Sequence, residues 1–286
     1  MSDITLTSAM RANLVSLQST AESMAQTQNR LATGKKVNSA LDNPANFFAA
    51  SGFTQRAGLL NGLKDTIGDG IQMIKAANNG VTAMTSMIEN LRGQLSQARA
   101  ALGDTVNSGT LLTTIASQYD SIVKQMDNVS QKDASYKGIN FLKGDAITVN
   151  FNETATTSLA LSGFDGSSNA LTISGGYNAA GTGTALATTD IDTTAKISLV
   201  ESSLNAALTT LRTESAKLAN NLSIMNVRNQ FITDMANTLT DGANKLVAAD
   251  QNEEGANMLM LQTRNSLGTT SLSLASQAAQ SVLRLF

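Results

Sequence analysis

Residues 204–246 read LNAALTTLRTESAKLANNLSIMNVRNQFITDMANTLTDGANKL, and a residue suited to a buried seam recurs at alternating steps of four and three. Leu204, Leu208, Leu211, Ser215, Leu218, Leu222, Met225, Asn229, Ile232, Ala236, Leu239, Ala243 and Leu246 hold that spacing for six heptads without a break. The period is that of a coiled-coil helix. At 1.5 Å per residue it predicts a helix roughly 60 Å long. A helix cannot bury such a stripe alone, so partner stripes are needed.

Working outward, the same spacing appears in Ile67, Ile71, Ile74, Asn78, Val81, Thr85 and Ile88, and continues through Leu91, Leu95, Ala98 and Leu102 after one shortened step, like a stammer in a heptad pattern. Gly103-Asp104 and Asn107-Ser108-Gly109 mark a turn, and a shorter helix follows with Leu112, Ile115, Tyr119, Ile122, Met126 and Val129 on one face. Helix, turn and helix predict an antiparallel pair.

Both chain ends carry seams of their own. Met10, Leu14, Leu17, Ala21, Met24, Gln28 and Leu31 form the first, which Gly34 stops. Residues 35–46 lack the period and contain Asn43-Pro44, where the residue before Pro is pushed out of the helical region, so an ordered connector is expected. At the other end a helix following Asp250–Gly255 carries Met260, Leu267, Leu274, Ala278 and Leu285, with Arg264 and Arg284 the only charges in 257–286.

The composition changes after Lys143. From Gly144 to Ala195 there is no Lys or Arg, while Asp145, Glu153, Asp165, Asp190 and Asp192 stand among many Thr, Ser, Gly, Ala and Asn. The period becomes two in Ile147/Val149/Phe151, Leu159/Leu161 and Leu171/Ile173, with turn signals at Asp165-Gly166 and Gly175-Gly176. That pattern predicts a small, hairpin-rich β insert with little core of its own. The resulting fold class is mainly α: a long antiparallel coiled-coil rod built from the N- and C-terminal segments, with the β insert at its tip.

Of the 286 residues, 42% are hydrophobic, 4% aromatic and 15% charged, and there is no His, Cys or Trp and one Pro. These absences exclude a disulfide framework, a thiolate nucleophile, Cys-ligated metal centres and His-based acid–base chemistry. A net charge of -2 without a basic run gives no footprint for nucleic acid or anionic membrane. No stretch has the length of a membrane span, and residues 1–31 lack the pattern of a cleavable secretory signal. Proteins are the expected partners, with no catalytic, cofactor or metal site.

The bland readings prevail for the remaining features. Asp250, Glu253 and Glu254 read as a solvated hinge between two helices rather than an acid–base pair. Gly175-Gly176 and Gly181-Thr182-Gly183 lack the Lys-Ser/Thr and the strand-to-helix setting of a phosphate loop. The eleven Met residues lie largely on helical stripes and mean adaptable core filling. Polar Gln28, Asn78, Ser215 and Asn229 at seam positions either fix register or line wetter parts of the seam.

The run Arg30-Leu-Ala-Thr-Gly-Lys-Lys-Val-Asn-Ser-Ala-Leu-Asp-Asn-Pro-Ala45 resembles the N-terminal signature of bacterial flagellins, matching it at Arg30, Leu31, Gly34, Asn38, Ser39, Ala40 and Asp42. Leu267 with Ser273-Leu-Ala-Ser-Gln277 and Gln280-Ser-Val-Leu-Arg-Leu285 is similar to the family's C-terminal ending, matching it at Gln277, Gln280, Val282 and Leu283. The variant Asn43-Pro-Ala-Asn-Phe-Phe-Ala49 resembles alphaproteobacterial members most. The resemblance implies an inner domain of residues 1–34 with 253–286, a helical spoke of 35–143 with 196–252, and a variable outer domain of 144–195.

It also implies a structural, secreted and extracellular subunit. Such a subunit is exported unfolded by the flagellar type III apparatus with an export chaperone, meets filament-cap and hook-junction proteins, and assembles with itself through both terminal seams into the hollow filament used for swimming. Two alternatives share part of the pattern. A hook–filament junction protein would have the same terminal helices, and a soluble coiled-coil adaptor would have the seams without both signatures.

Overall fold

The computed structural model describes residues 8–103, 108–174 and 185–283, the last two, Val282 and Leu283, by their backbone alone. The expected turn residues Asp104 and Asn107, the glycines 175, 176, 181 and 183, and the terminal Arg284 and Leu285 lie outside the described residues. The fold is mainly α. Its helices are α1 (Ser8–Thr33), α2 (Pro44–Ala101), α3 (Ser108–Asn128), α4 (Thr194–Val247) and α5 (Gln251–Leu283). Strands β1 (Ala146–Asn150) and β2 (Ser158–Ser162) form a two-stranded antiparallel sheet. The chain divides into two compact units, a terminal one of Met1–Ala57 with Asn237–Phe286 and a central one of Gly58–Ala236.

In the central unit the heptads explain the core. Leu204, Leu208, Leu211, Leu218, Met225, Ile232 and Ala236 of the α4 seam are buried, and the interleaved Ser215, Leu222 and Asn229 are half-buried. On α2, Ile67, Ile71, Ile74, Val81, Ile88, Leu91, Leu95 and Ala98 are buried. Asn78 is exposed, and Ala77, wholly buried, takes the inward place beside it. The Ser215 hydroxyl donates to Asn78 Oδ1 at 3.0 Å, so these polar residues meet across α2 and α4 at a solvated rim. The helices run antiparallel: Asn78 faces Ser215, and Arg99 pairs with Glu201 at 2.8 Å.

The α3 face is buried at Leu112, Ile115, Tyr119 and Met126, with Val123 added. Gln94 of α2 and Ser117 and Ser121 of α3 line one shallow groove, which places α2 and α3 side by side. A π-helical turn at Val129–Asp133, absent from the sequence expectation, prolongs α3. Buried Asp127 accepts from the Ser168 backbone N–H and hydroxyl, both at 2.7 Å, and buried Asn140 donates to the Ser130 carbonyl at 2.8 Å.

The β insert differs from expectation in two respects. The hairpin pairs Ile147 with Leu161 and Val149 with Leu159, but Leu171 and Ile173 form no strand: their N–H groups donate to Ser167 and Ser168 carbonyls in turns, and Thr172 between them has φ 55°. A third strand would need the extended backbone that this left-handed residue interrupts. The insert also has more core than its length predicts, since Val149, Phe151, Leu161, Leu171, Ile173 and Ile191 are all buried. Helices supply it: Met225, Val149 and Leu161 converge on Gly70 of α2, and Arg228 of α4 covers the Phe151 ring at 5.1 Å.

Candidate assembly surface

The terminal unit is built on α1 and α5, which run antiparallel: Asn13 bonds Ser271, Leu17 meets Gly268, and Arg30 pairs with Glu254. Gly34 ends α1 with φ 68°, its N–H bonded to the Arg30 carbonyl at 2.8 Å, the left-handed position that favours glycine after a helix. The backbone then bridges to the end of α4 and the link that precedes α5. Lys36 N–H donates to the Val247 carbonyl at 2.8 Å and Ala249 N–H to the Gly34 carbonyl at 2.9 Å.

The acidic hinge is more structured than the sequence suggests. Asp250 caps α5, its Oδ1 accepting from the N–H of Asn252 at 2.9 Å and of Glu253 at 3.3 Å. Glu253 and Glu254 occupy the first turn, where the helix dipole favours anions. Glu254 is buried, and its Oε1 accepts from Arg30 Nη1 at 3.0 Å. The matching positive charge sits in the last turn of α1. The sequence places both residues on the chain without indicating that they meet.

The signature run folds into a tight turn on its carboxylate. Asp42 Oδ2 accepts from the N–H groups of Asn38 at 2.9 Å and Ser39 at 3.0 Å and from the Ser39 hydroxyl at 3.4 Å. The Asn38 and Ser39 amides, with a smaller contribution from the Arg30 charge, hold the Asp42 carboxyl below its usual value. Asn43 then caps α2 through the Asn46 N–H at 3.1 Å, and Pro44 opens the helix where its missing N–H costs nothing. The connector is therefore ordered, and ends three residues earlier than its sequence suggests.

The faces of α1 and α5 sort differently from the expected seams. Met10 is buried and Leu17, Met24 and Leu31 are half-buried, but Leu14 is 41% exposed and Ala21 and Gln28 are exposed. Their inward places are taken by Asn13, Thr20 and Thr27. On α5 the inward face runs through Glu254, Met258, Leu261, Asn265, Gly268, Leu272, Ala275 and Ala279. Met260, Leu267 and Leu274, at 48%, 65% and 62% exposure, form the opposite stripe. Ala278, Gln277 and Gln280 are exposed too.

The reason lies in size. A Cβ on Gly268 would stand 2.6 Å from Leu17 Cδ2, so the close approach of α1 needs the face of α5 that carries Gly268, and Met260, Leu267 and Leu274 are turned away from it. A glycine inside a helix at the inward spacing was the available signal, and sequence reasoning passed over it.

One recess accompanies these stripes. A cleft of about 410 Å³ is lined by Lys35, Val37, Phe47, Ala50, Ala243 and Val247, among others. Near it Leu41, in the Asp42 turn, is 96% exposed. Among the described residues there is no group of three or more His, Cys, Asp and Glu placed to hold a metal, and no helix long and apolar enough to cross a membrane.

Comparison with known proteins decides the family. The bacterial flagellin N-terminal helical region matches residues 4–146. Flagellin FljK of Caulobacter vibrioides is 30% identical over 277 residues, covering 96% of this chain and 94% of that protein. The chain belongs to the bacterial flagellins. Flagellin FljM of the same organism is 29% identical over 273 residues with the same coverage, and a flagellin of Brucella melitensis is 26% identical over 304 residues, covering 100% of this chain and 99% of its own length. All three come from alphaproteobacteria, the group that the Asn43–Ala49 variant resembles. As a flagellin, the chain is a structural subunit of the bacterial flagellar filament.

Proposed function

We propose that copies of this chain assemble into the filament through the terminal seams, and chiefly through the outward stripe of α5. The observation that carries this reading is the exposure of Met260, Leu267 and Leu274 at seven-residue spacing on a helix whose other face is already occupied by α1. Apolar side chains left out by the chain's own fold are covered when copies stack. A subunit that meets its neighbour through different surfaces on each side forms an open helical polymer. Leu14 and Ala21 on the outward side of α1 join the same assembly face, with Met10, Leu17, Met24 and Leu31 holding α1 to α5.

In this reading, residues 1–34 with 253–286 form the inner domain, 35–143 with 196–252 the spoke, and 144–195 the outer domain. The subunit leaves the cell unfolded through the flagellar export apparatus, escorted by an export chaperone. It is placed beneath the filament cap beyond the hook-junction proteins, and works outside the cell. The signature residues Arg30, Gly34, Asn38, Ser39 and Asp42 fix the turn that sets α1 beside α5. Gln277, Gln280, Val282 and Leu283 belong to the end of the C-terminal stripe.

The test is assembly itself. Purified subunits seeded with filament fragments and viewed by electron microscopy should grow long tubular filaments. Removal of residues 257–286 should abolish growth while the helical circular dichroism of the central unit persists. Normal filaments from that truncation would overturn the role given to α5.

A further inference from the structure

The turn closed by Asp42 presents an apolar side chain on a fixed backbone. Leu41 N–H donates to the Ser39 hydroxyl at 3.2 Å, Asp42 N–H to the Ser39 carbonyl at 3.2 Å, and the Asp42 carboxylate takes the bonds already described. Leu41 itself is 96% exposed. A side chain presented on an ordered backbone loses little further freedom on binding, the condition under which buried area converts well into affinity. The cleft beside the turn has apolar walls from Val37, Phe47, Ala50, Ala243 and Val247, with Lys35 contributing a cation. Leu41 does not fill it in its own chain, although only three residues separate it from Val37.

We propose that Leu41 of one copy seats in this cleft of the next copy, a knob-and-recess contact repeated along the polymer. The proposal rests on the assembly reading above and names the partner of the cleft as a second copy of the same chain. One observation favours that occupant. Asp42 beside the knob and Lys35 beside the recess carry opposite charges, which favours entry and fixes orientation.

The absence of cysteine from the chain permits a direct test. Leu41→Cys and Ala50→Cys variants are mixed, co-assembled on wild-type seeds and treated with a short bis-maleimide. Covalent dimers containing one of each variant should appear in the filaments and be absent from unassembled protein at the same concentration. In parallel, Leu41→Ala should raise the critical concentration for growth roughly ten- to a hundredfold, the range set by burying one leucine, with an unchanged melting curve. Filaments that form without mixed dimers, or an unchanged critical concentration for Leu41→Ala, would overturn the contact while leaving assembly through α5 standing. A wild-type chain that grows no filaments would remove both readings.

Discussion

In the central unit, α2 and α4 bury their strongest apolar stripes within the chain: Ile67, Ile88, Leu91, Leu95, Leu204 and Leu211 are wholly enclosed. In the terminal unit α1 buries Met10 and Thr27 and α5 buries Glu254 and Leu261, while Leu259, Met260, Leu267 and Leu274 stay exposed. Both units use antiparallel helices with the same period. They differ in which face turns inward, and the choice separates helices whose stripes are spent on folding from helices whose stripes stay exposed, the ones the proposed assembly would cover.

The sharpest way to break the comparison is to truncate one stripe in each unit. Leu211→Ala should destabilise the subunit by about 3 kcal/mol, since it opens a cavity in a closed core. Leu267→Ala should shift subunit stability by no more than about 0.5 kcal/mol yet weaken filament growth. Thermal melts and growth assays read the two effects, and equal losses of stability would erase the distinction.

Arg30→Ala should cost about 2 kcal/mol, confined to the terminal unit, because it leaves the buried Glu254 carboxylate without its cation. Hydrogen exchange should rise in α1 and α5 and stay constant in the central unit. Tyr119→Phe should do the reverse, stabilising the central unit by about 1 kcal/mol. The Tyr119 hydroxyl is fully buried without a hydrogen-bond partner, and burial raises its pKa, so removing it relieves an uncompensated polar group. A lower melting temperature in that variant would mean the hydroxyl has a role the geometry does not reveal.

The smallest effect is that of pH on the connector. The Asp42 carboxyl has a lowered pKa in the folded chain. It therefore contributes stability above its ordinary value of 3.8, and that contribution is lost as the pH falls below 3.8 through the lowered folded value. Amide exchange at Asn38 and Ser39 should accelerate in that window, and Asp42→Asn should weaken the dependence.

The heptad spacing made the central unit legible because both partner stripes lie on the same chain: every α4 seam position from Leu204 to Ala236 proved buried or half-buried. In α5 the same reasoning found the strongest apolar stripe but not its direction. Period specifies a face, while the neighbour that covers it depends on where Gly268 lets Leu17 approach. The ion pair between Arg30 and Glu254 was illegible for a related reason, since its partners stand 224 residues apart and share no local pattern. The third strand failed on backbone geometry, because alternation at Leu171 and Ile173 satisfies a turn that buries both side chains as well as it satisfies a strand.

The antiparallel return of the chain also has a kinetic consequence. Cross-chain bonds from Arg99 to Glu201, Asn78 to Ser215, Arg30 to Glu254 and Asn13 to Ser271 span 102, 137, 224 and 258 residues, and each encloses the one before it. Closing the outermost pair first would carry the entropy of a very long loop, whereas closing from the inside out divides that cost into short increments. The nesting favours a zipper that starts beside the insert and finishes at the two ends. Pulse-labelled exchange should therefore show protection reaching the first half of α4 before α5, so the surface proposed to join neighbouring copies would be the last to form.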